Sequence, residues 1–293
     1  MKYIGVNGVP TPAAEAVLSV MDHGFMYGMG LFETFRTYNG RPFLIEKHLE
    51  RLEQGCRSLG IRYPLQLDQV VQEIGELLRL NNLQEGYIRL TVSAGEGPLG
   101  LPSEDYGDPA VIIYVKPLGP VDPQLYMEGK SLYRLNTLRN TPEGEIRLKS
   151  LHYMNNMLAK RELREYTHLR AGNYEGMQLT ADGYLAEGIV SNLFFVQNGK
   201  LYTPDIGTGI LPGITRAFIL QLANQLGLPF EEGYYKWDRL KQADEIFVTN
   251  SIQEAVSVTG LLEPEGGRYI VGNGRMGSIT RQLVEQYRQK AGV

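Results

Sequence analysis

Lys149 lies in the run Arg147-Leu148-Lys149-Ser150-Leu151-His152-Tyr153, at the end of an apparent strand and just before a helix. Strand ends and loops commonly present side chains to a site. An amine placed there condenses with a carbonyl and, once released, serves as a base. By position alone, however, it reads as a solvated surface charge. Glu187, in Ala186-Glu187-Gly188-Ile189-Val190-Ser191-Asn192, is the second residue suited to chemistry, because a carboxylate holds a proton on a ring nitrogen by charge and hydrogen bond. In isolation it is equally a surface charge beside a glycine turn. The third feature is an anion cup. Pro212-Gly213-Ile214-Thr215 opens a helix, so free N–H groups and the positive end of its dipole face a phosphate; the same residues also make an ordinary helix start. Thr249 and Ser251 add hydroxyl donors. Arg51 adds charge, unless it pairs with Glu50 or Glu53.

The elements that must position these groups can be read from pattern. Residues 3–8 form a strand meeting an Asn-Gly turn, and runs 31–38 and 42–45 flank a second turn at Asn39-Gly40, so the first region is antiparallel sheet. Leu49, Leu52, Cys56 and Leu59 share one helical stripe, and residues 67–81 form a second helix. Strands follow at 87–94 and 110–115. Pro117, Gly119, Pro120 and Pro123 then crowd a stretch that suits neither helix nor central strand. This predicts a small N-terminal α/β domain over 1–118, a linker over 119–129 and a larger domain over 130–293, an α+β chain with a ligand cleft between its lobes. In the second domain, strands are expected at 130–136, 174–180, 191–196, 200–202, 245–248 and 255–258. Helices are expected at 153–167, 213–226 and 275–290, the first with Tyr153, Met154, Met157 and Leu158 inward.

Composition narrows the function. The 293 residues carry a net charge of −4 with no basic face, so a small-molecule partner is favoured over nucleic acid. One cysteine excludes an intramolecular disulfide and a cysteine-based metal cluster, which suits a reducing cytoplasm. No basic, apolar leader opens the chain and no apolar run reaches bilayer length, so no membrane association is expected. The four histidines lack metal spacing, and no Gly-x-Ser-x-Gly elbow is present. Two Gly-x-Gly-x-x-Gly matches, at 95–100 and 272–277, read as loops. Prolines block a helix after the first, and neither a second strand nor a spaced acidic residue follows the second.

Taken in order, the segments Asp22-His23-Gly24-Phe25-Met26-Tyr27-Gly28, the Lys149 run, 186–194, 209–216 and Val248-Thr249-Asn250-Ser251 resemble the fold-type IV pyridoxal-phosphate enzymes. That family includes branched-chain and D-amino-acid aminotransferases and aminodeoxychorismate lyase. The resemblance implies a two-domain fold with a mixed sheet or barrel in the larger domain, pyridoxal 5′-phosphate as cofactor, and a homodimer. It makes Lys149 the cofactor's Schiff-base lysine and general base. It places Arg51, Tyr153, Glu187, Ser191, Asn192, Gly213, Ile214, Thr215, Thr249, Asn250 and Ser251 around the cofactor, and Tyr27, Arg89, Arg139 and Arg147 toward substrate. Tyr27 and Tyr153 would also be unexceptional as core tyrosines, and the two last arginines as structural ones. The run Leu138-Arg139-Asn140-Thr141-Pro142-Glu143-Gly144, with His152-Tyr153 and Asn155-Asn156-Met157, is similar to Gram-positive aminodeoxychorismate lyases. D-amino-acid aminotransferases resemble each other in an arginine and a histidine near residues 93–102, which this chain lacks. Branched-chain or D-amino-acid transamination, and cofactor binding without turnover, are the alternatives.

Overall fold

Asn7 and Gly8 carry φ angles of 50° and 79°, the paired left-handed geometry that reverses β1 (Tyr3–Val6) into β2 (Val9–Pro12). In the computed structural model, which describes residues 1–64, 66–119, 123–168 and 172–293, packing divides the chain into two units. The first comprises Met1–Pro120, Leu148–His152 and Ala291–Val293; the second comprises Val121–Arg147 and Tyr153–Lys290. The division read from sequence is contiguous, whereas packing returns the five residues around Lys149 to the first unit. Residues 120–122 of the expected linker lie outside the described residues, and a short helix, Pro123–Glu128, occupies its later part.

The first unit continues through α1 (His23–Tyr27), β3 (Gly30–Tyr38), β4 (Arg41–Pro42), α2 (Ile45–Ser58), α3 (Leu67–Leu80), β5 (Gly86–Ser93) and β6 (Ala110–Pro117). Its sheet runs β2-β1-β6-β5-β3-β4 with every pairing antiparallel. Ile45, Leu49, Leu52 and Cys56 of α2 and Val70, Ile74 and Leu77 of α3 pack on Leu31, Phe35, Ile88, Leu90, Ile113 and Val115, so period-3.6 and period-2 stripes share one core. The strand expected at 42–45 ends at Pro42. Leu44 adopts φ 54° and turns the chain directly into α2. The segment around Lys149 extends this sheet. Ser150 bridges antiparallel to Leu31, Phe32 N–H donates to Lys149 O at 2.9 Å, and Leu151 N–H donates to Gly30 O at 3.0 Å.

The second unit holds α4 (Pro123–Glu128), β7 (Lys130–Arg134), α5 (Met154–Thr167), β8 (Tyr174–Leu179), β9 (Leu185–Gly188), β10 (Asn192–Gln197), β11 (Lys200–Pro204), α6 (Ile214–Gln225), β12 (Phe230–Gly233), β13 (Glu245–Asn250), β14 (Glu254–Leu262), β15 (Arg268–Ile270) and α7 (Ser278–Ala291). The sheet order is β12-β11-β10-β13-β14-β7-β8-β9, with β15 on β14, and β9 also lies against β10 and β11. The pairs β7–β8, β7–β14 and β11–β12 are parallel. Leu193, Phe195, Ile246, Val248, Val256, Val258 and Trp237 fill its centre. Helix α5 differs from expectation. Asn156, Ala159 and Leu163 face inward, while Met154, Met157 and Leu158 are exposed. The sequence offers two apolar faces there, and the one carrying small Ala159 packs against Tyr133 and Leu135.

Candidate active site

In the second unit, β9 delivers Glu187 into a buried charge cluster built from the connection between β7 and α5. Glu187 Oε1 accepts from Arg139 Nε at 2.8 Å, and Arg147 Nε lies 3.9 Å away. Glu187 Oε2 accepts from Leu211 N–H at 3.0 Å and Asn192 Nδ2 at 3.4 Å. Arg139 is held further by Asn155 Oδ1 at 2.8 Å, Asn140 Oδ1 at 3.2 Å and Asn156 Oδ1 at 3.4 Å. Arg147 donates to Gly209 O and to Asn140 O and Oδ1. Burial and the neighbouring Arg139 charge pull the Arg147 guanidinium below its ordinary value, against the carboxylates of Glu187 and Glu143. Both arginines therefore have internal partners, the structural alternative left open by the sequence.

The anion cup lies in the same unit. In the β10–β13 register Asn192 stands opposite Thr249. Thr249 Oγ1 and Ser191 Oγ are buried with no hydrogen-bond partner among the described residues. Thr215 and Ser251 hydroxyls are 3.2 Å apart. Helix α6 starts after Gly213 with no side-chain cap, so its first N–H groups are available to a ligand. A Cβ on Gly213 would stand 1.9 Å from Asn192 Oδ1, so only glycine admits this approach. Asn250 has another job: its Oδ1 accepts from Ile252 N at 3.0 Å and Gln253 N at 2.8 Å, shaping the turn after β13. Ile214 is half-buried, and Tyr153 stands half-buried at the start of α5.

The first unit carries the remaining residues. Lys149 is half-buried with its Nζ 4.6 Å from the Phe32 ring centroid, and Arg89 stacks on that ring at 3.6 Å. Arg51 pairs with neither helical neighbour suggested by the sequence. Its Nε and Nη2 both donate to Glu33 at 2.7 Å, and Glu33 also receives His48 Nδ1 at 2.6 Å. Burial alone would raise the Glu33 carboxyl, but Arg51 and His48 outweigh it and hold it at about 2. Burial pulls His48 below its ordinary value. Tyr27 OH accepts from Gly100 N–H at 2.9 Å, and Tyr27 O accepts from His152 Nε2 at 2.8 Å. Glu33, His48 and Phe32 escaped the sequence reading. A carboxylate at a core-facing position of β3, with His48 and Arg51 three apart on α2, was the available signal. Among the described residues no group of side chains forms a metal site, and no helix is long and apolar enough to cross a membrane.

The amino-transferase class IV family model matches residues 30–261. The chain is 43% identical over 266 residues to the aminodeoxychorismate lyase of Bacillus subtilis (strain 168), covering 90% of this chain and 88% of that protein. It is 30% identical over 294 residues to the D-alanine aminotransferase of Staphylococcus aureus (strain COL), covering 98% and 97%. Among solved structures, a branched-chain amino acid aminotransferase from Escherichia coli superposes with a TM-score of 0.85 at 28% identity, covering 98% of this chain and 94% of that one.

Proposed function

Given that the chain belongs to the class IV aminotransferase family, whose cofactor is pyridoxal 5′-phosphate, we propose that it is an aminodeoxychorismate lyase. On this reading it converts 4-amino-4-deoxychorismate to p-aminobenzoate and pyruvate. The observation that carries the choice is the 43% identity to the Bacillus lyase, against 30% to the D-alanine aminotransferase. The loop after β5, residues 95–101, adds support, since it holds neither arginine nor histidine of the kind expected of a D-amino-acid aminotransferase.

The residues fit the cofactor on their own chemistry. Uncapped N–H groups at the start of α6, together with the unpartnered Thr249 and Ser191 hydroxyls, suit a dianionic phosphate. Gly213, Ile214, Thr215 and Ser251 complete that cup, Asn250 shapes the turn after β13, and Arg51 is assigned to the phosphate as a cation. Glu187 is the carboxylate for the pyridine nitrogen, and its Oε1, which accepts one hydrogen bond, retains a lone pair. Arg139 serves here as the residue that orients Glu187, with Arg147 next to it, while Tyr27 and Arg89 are assigned to the substrate and Tyr153 to the ring.

Bound there, pyridoxal phosphate supplies an electron sink for the carbon that loses a proton. Lys149 is assigned as its covalent anchor. Released by the substrate amine, the Lys149 amine takes the proton from ring carbon C4. The enolpyruvyl C–O bond then breaks, and the ring becomes aromatic with no oxidant or reductant consumed.

The test is an incubation of purified holoprotein with aminodeoxychorismate and no keto acid. Fluorescent p-aminobenzoate and pyruvate formed one to one support the lyase. A requirement for a keto acid, with conversion of the cofactor to its pyridoxamine form, would instead establish transamination. A yellow protein that forms no product is a binder.

A further inference from the structure

We infer that Phe32 is a positioning residue whose ring holds the Lys149 ammonium and the Arg89 guanidinium together and sets the pH at which the lysine becomes a free amine. The inference deepens the reading above and rests on it for the assignments of Lys149 to the cofactor and Arg89 to the substrate. Three devices bring the groups together. Antiparallel β3 and β5 place Phe32 opposite Thr91 and Thr34 opposite Arg89, so Phe32 and Arg89 are diagonal neighbours on one face of the sheet. Arg89 Nε donates to Thr91 Oγ1 at 3.3 Å, which steers the guanidinium back over the ring. On the other edge of β3, the 2.9 Å bond from Phe32 N–H to Lys149 O and the bridge from Leu31 to Ser150 fix the Lys149 backbone.

The outcome is two cations on one ring, Arg89 Cζ at 3.6 Å and Lys149 Nζ at 4.6 Å from its centroid, both within the reach of a cation–π attraction. Phe32 itself is buried, so water screens the attraction little. Two like charges held on one ring oppose each other, and the guanidinium stays charged at any ordinary pH. The lysine is the partner that can yield its proton. The negative ring face favours its ammonium form while Arg89 disfavours it; His48 of α2 also lies within electrostatic range of Lys149, and Arg51 beside it is paired with Glu33, so the balance of these groups places the lysine between an inert cation and a reactive amine. A buried ring of the sheet thereby tunes the lysine.

The test replaces Phe32 with mono-, di- and trifluorinated phenylalanines, which keep the ring's shape and progressively remove its negative face. Reaction of Lys149 with fluorodinitrobenzene is followed against pH in the full chain without cofactor, by peptide mass spectrometry. The expected result is a stepwise fall in the labelling midpoint, about half a pH unit for the trifluorinated ring. Phe32→Leu is expected to fall as far, and the pH titration of visible absorbance in the holoprotein to move in the same order. A midpoint that stays constant across the fluorinated series, or rises, would overturn the inference. Absence of p-aminobenzoate formation sinks the lyase assignment and leaves the labelling series unaffected, so the two failures are separable.

Discussion

Replacing Arg139 by leucine removes the guanidinium that Glu187 meets at 2.8 Å, with both side chains more than nine-tenths buried. Removing one partner of a buried ion pair costs about 3–5 kcal/mol, because the remaining charge is left uncompensated. Arg147, at 3.9 Å from the same carboxylate oxygen, is committed to Gly209 O and softens the loss, which sets the expectation near the lower end, about 3 kcal/mol. Trp237, the single tryptophan, lies buried in the same unit and reports its unfolding by fluorescence. In urea the midpoint falls by roughly 1.5 M, taking a slope of about 2 kcal/mol/M. A further arm identifies the cause. Arg139→Leu with Glu187→Leu removes both charges and regains most of the deficit. A deficit under about 1 kcal/mol at neutral pH, or one that the second substitution leaves unchanged, would refute the reasoning.

Thr249→Val removes a buried hydroxyl with no partner among the described residues, so the protein without cofactor should be unchanged or up to about 1 kcal/mol more stable. Its affinity for pyridoxal phosphate should fall roughly tenfold or more, measured by fluorescence titration. Lys149→Ala should abolish the visible absorbance of a covalently held cofactor, and spectra identical to the parent would remove Lys149 from its role. Acid should weaken the first unit in two stages. His48, pulled down by burial, begins to favour the unfolded chain below its ordinary 6.5. Glu33, held at about 2 against its ordinary 4.5, then surrenders about 3 kcal/mol as pH falls between those values. Glu33→Gln should flatten that second limb in urea titrations followed by hydrogen exchange of α2 amides.

Much of this architecture follows from period and turn chemistry. Asn7-Gly8, Asn39-Gly40 and Asn198-Gly199 fix reversals locally, and the stripe Leu49, Leu52, Cys56 emerges as the buried face of α2. Short β9, flanked by glycine and serine, went unread because four residues carry little periodicity. Helix α5 misled because burial there is decided by which neighbours lie across from it, and Ala159 fits where Met157 does not. For the candidate site, motif order pointed to Glu187, Thr215 and Thr249, which share one unit. No local rule, however, could show that Arg51 would bind Glu33, eighteen residues away and on another element. Nor could it show that the residues flanking Lys149 would bridge to β3.

The Asn-Gly reversals also bear on the order in which the chain acquires its shape. Asn198 and Gly199, at φ 52° and 72°, join β10 to β11 with almost no loop to close, so this hairpin can form within about 1–10 μs. Strand β7 must instead find β14 from the far side of most of the second unit, in parallel register, and loop-closure entropy delays it. In a pulse-labelled refolding experiment, amides of β10 and β11 should gain protection well before those of β7, so the second sheet is assembled outward from its tightest bend.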